Sequence, residues 1–253
     1  MELRTNRFKH DLGRRQQLGM FSTLGGALLT ELLGDCGFDW ILIDTEHSPN
    51  ELNDVVHQLQ ALADRNVSPI VRPAWLDMVL TKRLLDAGAQ TLLFPYIQNA
   101  EQAAQAVSFT RYPPYGVRGV SGSSRAAGYG MIPGYFSKIE QELAVLVQIE
   151  TIDALQQLEE IAAVEGVDGV FIGPADLAAS MGHLGDIMHP EVQQALDDGF
   201  ARLKALGKPS GYLTTNEEDA TRRLAQGVSF VGVGTDTSII SRAATALTAR
   251  MRA

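Results

Sequence analysis

Cysteine is almost absent from this chain. Cys36 alone, in "LLGDCGFDW", has no partner for an intrachain disulfide, so nothing in the sequence asks for an oxidising compartment, and the residue reads as a small core side chain. Long apolar runs are missing as well. The opening stretch "MELRTNRFKHDLGRRQQ" is basic but no apolar segment follows it, so neither a signal peptide nor a membrane-spanning helix is expected, and the expected location is cytoplasmic. There is no excess of Lys and Arg: the formal net charge is -9. That balance argues against a nucleic-acid partner, which would need surplus cations facing a phosphate backbone. Lysine is scarce, and Lys9, Lys82, Lys138, Lys204 and Lys208 all lie away from the carboxyl ends of the apolar runs described next, which disfavours Schiff-base chemistry. The sequence has no His-x-His pair, no G-x-S-x-G elbow and no Walker motif.

What is present is an ordinary globular composition, 45% hydrophobic and 20% charged over 253 residues, enough for a sizeable core. Short apolar runs recur: "LGMFST", "WILID", "PIVRP", "TLLFP", "AVLVQIE", "GVFIG", "PSGYLT" and "SFVGVG". Between them lie helical-length segments such as "NELNDVVHQLQALADR" and "TIDALQQLEEIAAVEG", with apolar residues at i, i+3, i+4 and i+7. Repeated βα units of this number and length predict a TIM (β/α)8 barrel, with a doubly wound open sheet as the structural rival. No linker divides residues 1–253, so a single domain is expected, closed by a C-terminal helix at about 236–251. The connection at 111–136 is long and carries three arginines and four tyrosines, a composition that predicts packing and a functional loop.

In such a barrel the active site gathers at the carboxyl ends of the strands. The second run ends in Asp44, Thr45, Glu46 and His47; the third carries Arg72; the fifth ends in Gln148 and Glu150; the sixth runs into Gly173, Pro174, Ala175 and Asp176. Glu150 and Asp176 are two carboxylates from neighbouring strands, the oxygen donors that suit a hard divalent cation such as Mg²⁺. Asp176 also opens a helix-like stretch whose free N–H groups suit a substrate carboxylate, or it serves as a simple N-cap. Arg72 in an apolar strand requires an anion, either a substrate or a salt-bridge partner. His47 is the proton-transfer candidate, while His183 and His189 read as exposed loop residues. The segment "GVSFVGVGTD" near the last strand is a weak candidate phosphate cradle.

The combination "FDWILIDTEHSPN", "PIVRPAW", "RLLDAGAQTLLFPYIQNAEQA", "TRYPPYGVRGV", "LVQIET", "VEGVDGVFIGPADLAASMG" and "HPEV" resembles the HpcH/HpaI family of metal-dependent pyruvate aldolases, in order and over nearly the whole chain. The resemblance implies a phosphoenolpyruvate/pyruvate-type barrel, assembled as a homohexamer (a trimer of dimers), that makes or breaks a C–C bond between a 2-keto acid and an aldehyde through an enolate. By motif position it implies a divalent metal (Mg²⁺, Mn²⁺ or Co²⁺) on Glu150 and Asp176, and a catalytic pair of His47 with Asp86. It places Arg72 at the keto oxygen, with Gln148, Gly173, Pro174, Ala175 and Asp176 around the pyruvate portion and Leu213 beside the aldehyde. Thr45, Ser48, Phe21 and the surroundings of Leu213 depart from the family pattern, which leaves the aldehyde acceptor open and the donor open between pyruvate and hydroxypyruvate. Two other readings stand beside this one: an enolate-forming barrel acting on phosphoenolpyruvate or an acyl-CoA, as in the citrate lyase β branch, and a catalytically silent ligand-binding barrel.

Overall fold

A computed structural model describes all 253 residues. In chain order the elements are α1 (Arg7–Asp11), β1 (Gln17–Ser22), α2 (Ala27–Gly34), β2 (Trp40–Asp44), α3 (Leu52–Ala61), β3 (Ser68–Arg72), α4 (Met78–Ala87), β4 (Thr91–Phe94), α5 (Ala100–Thr110) and α6 (Tyr135–Lys138). There follow β5 (Ala144–Ile149), α7 (Ile152–Gln156), α8 (Leu158–Ala163), β6 (Gly169–Ile172), α9 (Pro174–Ser180), α10 (Pro190–Ala205), β7 (Ser210–Leu213), α11 (Glu217–Gln226), β8 (Phe230–Thr235) and α12 (Asp236–Arg252). The strands are parallel and close in sequential order, with β8 returning to β1. The barrel prediction holds, and the open-sheet rival is excluded by that closure. No helix is long and apolar enough to cross a membrane.

Side-chain alternation along each strand builds two cores. Outward residues such as Ile43, Val71, Val147 and Ile172 join the main cluster against the helices. Inward residues Phe21, Trp40, Leu42, Ile70, Leu93, Leu146, Phe171 and Phe230 fill the barrel, and Phe8 of α1 plugs its amino end, edge-on to Phe230 at 5.3 Å between centroids. Space for the Trp40 indole exists because residue 19 is glycine: a Cβ there would fall 2.0 Å from the ring. Helices begin where the sequence supplies a side-chain acceptor: Asp77 caps α4, Asn99 caps α5 and Asn216 caps α11. Gly88 and Gly227 end α4 and α11 in the left-handed conformation.

The long connection at 111–136 follows α5 and leads into β5, so it lies at the amino ends of the strands, opposite the face where β2, β3, β5 and β6 present their acids. Its arginines are used within this chain. Arg111 pairs with Glu140 at 3.2 Å, Arg125 donates to the Ala87 carbonyl at 2.6 Å, and the fully buried Arg118 lies 4.5 Å over the Tyr112 ring. The loop is therefore a packed base plate and forms no part of the mouth of its own barrel.

The "GVGTD" turn also differs from the phosphate-cradle expectation. The Asp236 carboxylate already accepts the Thr23 N–H (2.9 Å), the Leu24 N–H (3.0 Å) and the Thr23 hydroxyl (2.6 Å). A buried acid occupies the donors that a phosphate would need.

Candidate active site

The inward column of β2 is Trp40, Leu42 and Asp44, and that of β3 is Ser68, Ile70 and Arg72, with Asp44 and Arg72 in register. Strand pairing thus delivers Asp44 to Arg72. The bond is bidentate, Nε to Oδ1 and Nη2 to Oδ2, both at 2.8 Å, with both side chains buried. The third guanidinium nitrogen, Nη1, lies 2.9 Å from Glu46 Oε2 without hydrogen-bond alignment. Burial works against the Arg72 charge, but hydrogen bonding to Asp44 and the negative charges of Asp44, Glu46 and Glu150 outweigh it and raise the pKa. The arginine is a fixed cation.

The turn after β2 is held by the same aspartate. Asp44 accepts the Glu46 N–H at 3.0 Å and the His47 N–H at 3.3 Å, and the Asn50 amide closes on the Asp44 carbonyl at 2.8 Å. This geometry directs Glu46 inward and leaves His47 exposed at the rim, its Nε2 3.9 Å from Glu46 Oε2.

Glu150 follows β5 on the inward face that also carries Gln148. It is 2% exposed and accepts the Tyr96 N–H at 2.7 Å on Oε1 and the Gln148 amide on Oε2. Tyr96 makes that bond from a left-handed backbone with φ 55°, a conformation that a bulky residue keeps only when its surroundings impose it. Gly173 faces Glu150 so closely that a Cβ would lie 2.7 Å from Oε2. Burial pushes the Glu150 carboxyl up to about 7; Glu46 and Asp176 push the same way, against the Gln148 and Tyr96 hydrogen bonds. Burial also takes Glu46 to about 7, with Asp44 and Asp176 adding to the shift against the pull of Arg72.

Asp176 is exposed in the first turn of α9, three residues after Gly173, which occupies the cap position. It is therefore not the N-cap. Pro174 has no N–H, and Leu177 to Gly173 closes the first turn, so the Ala175 and Asp176 amides precede the bonded turns of the helix. Leu213 ends β7 against the inner core.

Glu46 and Glu150 thus lie near Arg72, Asp176 acts on both through its charge, and burial pushes both carboxyls up to about 7. The Gln148 Oε1 is a buried acceptor without a partner. Oxygen donors whose charges raise one another's carboxyls and an orphaned acceptor fit a hard divalent cation with its waters. The His47–Asp86 pair is not formed within the chain. Asp86 lies in the last turn of α4, towards the amino ends of the strands, and its partner is Arg118 Nη2 at 3.4 Å.

Asp44 and Glu46 lie at the mouth as the end of the second apolar run implies, Asp44 as the brace of Arg72, whereas Tyr96 was not among the expected site residues. The alternation in "WILID" marks Asp44 as inward, on the face of Trp40 and Leu42. No local signal marks Tyr96, because its contribution is a backbone N–H.

A family model for HpcH/HpaI aldolase/citrate lyase matches residues 17–243. A pyruvate aldolase of Rhizobium etli is 54% identical over 251 residues, covering 99% of each chain. A 4-hydroxy-2-oxo-heptane-1,7-dioate aldolase of Escherichia coli is 50% identical over 250 residues, covering 98% of this chain and 95% of its own. Among solved structures, an HpcH/HpaI aldolase/citrate lyase family protein from Burkholderia cenocepacia superposes with a TM-score of 0.95 at 40% identity, covering 98% of this chain and all of that one.

Proposed function

The chain belongs to the HpcH/HpaI aldolase/citrate lyase family, and from that premise we propose that it is a carbon–carbon lyase, a class II aldolase that splits 4-hydroxy-2-keto acids into pyruvate and an aldehyde and requires a divalent cation. The observation that carries this reading is the convergence of Glu46 and Glu150 on Arg72, itself locked by Asp44, with the charge of Asp176 acting on both glutamates. Glu150 and Asp176 would hold Mg²⁺, Mn²⁺ or Co²⁺, which when bound supplies a Lewis acid for the keto group. Arg72, which has no freedom to rotate away, puts positive charge where the keto oxygen becomes negative. Gln148 and the amides of Ala175 and Asp176 orient the keto acid carboxylate over the Gly173–Pro174 corner, and Leu213 borders the aldehyde. His47, exposed at the rim, takes and returns the hydroxyl proton of the aldol.

Exposed apolar residues support assembly with further copies. Ile239, Ile240, Leu247 and Met251 are exposed along α12, as are Leu28 and Leu32 on α2, an apolar area that further copies of the chain would cover. A homo-oligomer, taken as a hexamer built as a trimer of dimers, is part of the proposal. It also locates Asp86: within one chain it cannot meet His47, so an Asp86 that orients the catalytic histidine must come from another copy.

The test is pyruvate release, coupled to lactate dehydrogenase, from a panel of 4-hydroxy-2-keto acids with chelated protein and with Mg²⁺, Mn²⁺ or Co²⁺ restored, and a parallel arm for hydroxypyruvate. Release that appears only with added metal is the expected result. Undiminished release in chelator overturns the reading.

A further inference from the structure

Between α9 and α10 the chain runs through "GHLGDIMHPE", and three of its side chains meet in a cluster that includes none of the acids of the mouth. His183 Nε2 lies 2.8 Å from Glu191 Oε2. The His183 and His189 rings stack with centroids 3.6 Å apart and planes 15° from parallel. His189 uses Nδ1 to accept the Glu191 N–H at 3.3 Å, capping α10, which leaves Nε2 as its unused nitrogen. One ligand atom from each of the three lies within 4.8 Å of the others.

The backbone holds this arrangement in place. His183 N–H bonds to the Ala178 carbonyl at 2.8 Å, His189 N–H to Asp186 at 3.2 Å, and the Gln193 amide reaches the Ile187 carbonyl at 2.6 Å. The two imidazoles therefore stay face to face without depending on a ligand. The hydrogen bond from His183 holds the Glu191 carboxyl below the usual carboxylate range.

We propose that His183, His189 and Glu191 form a second cation site, separate from Glu150 and Asp176, that binds a borderline transition ion of the Zn²⁺ type with water in the remaining position. Two imidazole nitrogens and one carboxylate are the donors that such ions prefer, whereas the oxygen-only mouth suits harder ions. An ion here cross-links the α9–α10 loop to the first turn of α10. That loop continues the helix carrying Asp176, so the second ion fixes the far end of the element on which the catalytic acid stands. As a surface ion pair with a histidine cap, the same cluster would contribute little and bind no metal.

The experiment uses the full-length protein with Glu150→Gln and Asp176→Asn to silence the mouth, titrated with Zn²⁺ alone by calorimetry and by equilibrium dialysis, in excess Mg²⁺. The expected result is one equivalent of Zn²⁺ not displaced by Mg²⁺. Adding His183→Ala or Glu191→Gln should weaken it by about tenfold or more, with unchanged circular dichroism. In the protein with an intact mouth, His183→Ala should leave the Mg²⁺-supported activity in place, which separates this site from the catalytic one. Failure to bind Zn²⁺, or binding indifferent to both His183→Ala and Glu191→Gln, overturns the proposal and leaves the aldolase reading untouched.

Discussion

The Tyr96 amide donates to Glu150 Oε1 at 2.7 Å from a backbone turned to φ 55°. A side chain is thus carried in an unfavourable conformation so that a main-chain N–H can orient a buried acid. Tyr96 also stacks on Trp75, ring centroids 5.7 Å apart, with both rings exposed beside the mouth.

Because glycine adopts this conformation freely, Tyr96→Gly should keep the amide bond while removing the ring. Relief of strain and loss of stacking oppose each other, so folding stability should stay within about 1 kcal/mol of the parent. Metal affinity should be unchanged and the KM for the 4-hydroxy-2-keto acid should rise. Thermal melting, metal titration and steady-state kinetics read the three quantities separately; a collapse in metal affinity would show that the tyrosyl ring, and not the amide, holds Glu150.

The elevated Glu46 and Glu150 carboxyls set the pH behaviour. Both are pushed to about 7, from a carboxylate value of 4.5, so the metal-free folded state binds more protons than the unfolded chain between those limits. These groups therefore lower the stability of the metal-free protein as pH rises from about 4.5 to 7. Cation binding requires the deprotonated acids, so Mg²⁺ or Mn²⁺ affinity should fall as pH drops below 7, with proton release on binding near pH 6.5. Calorimetry in two buffers of different ionisation heat measures that release, and its absence would contradict the assignment. Glu150→Gln should reduce the release to the share of Glu46 and reduce activity by about a hundredfold while leaving the metal-free fold intact.

Gly173→Ala tests the close approach at β6. Its Cβ would lie 2.7 Å from Glu150 Oε2 and 3.0 Å from Glu150 Cβ, so the carboxylate must turn away. Metal affinity should weaken by about tenfold with a smaller effect on melting temperature. Equal metal affinity in variant and parent would mean that the acid has room to adapt.

Mixing of subunits tests the placement of Asp86. His47→Ala and Asp86→Ala chains, each of low activity alone, should complement when refolded together at equal amounts, restoring both groups at about a quarter of the sites. A mixture no more active than the average of its parents would argue that Asp86 acts only within its own chain, on Arg118.

The fold was legible because each strand is buried on both faces and reads as a short apolar run. "WILID" names β2 without remainder, and the other runs differ from their strands by a residue or so at the ends. The inward acids were legible for a related reason, since an Asp or Glu ending such a run has few places to go. Three features were not. The role of Tyr96 depends on an amide, and side-chain type does not encode it. The base-plate position of 111–136 depends on which side of α5 it lies, which residue composition does not report. Asp86 follows the apolar pattern of α4, and only its place in the last turn of that helix shows that it points away from the mouth of its own barrel.

The grip of Asp236 on Thr23 and Leu24 has a meaning for biosynthesis. Those partners are 213 and 212 residues apart along the chain, and β1 pairs with β8, the last strand. At ~10 residues per second, roughly twenty seconds of translation separate Thr23 from the carboxylate that fastens it. Until then the first strand exposes an edge with nothing beside it on one side, and the loop after it lacks its acceptor. The nascent protein therefore spends most of its synthesis as an open, incomplete sheet. Emergence of the last strand, and not of any early segment, is the event that lets the cylinder shut.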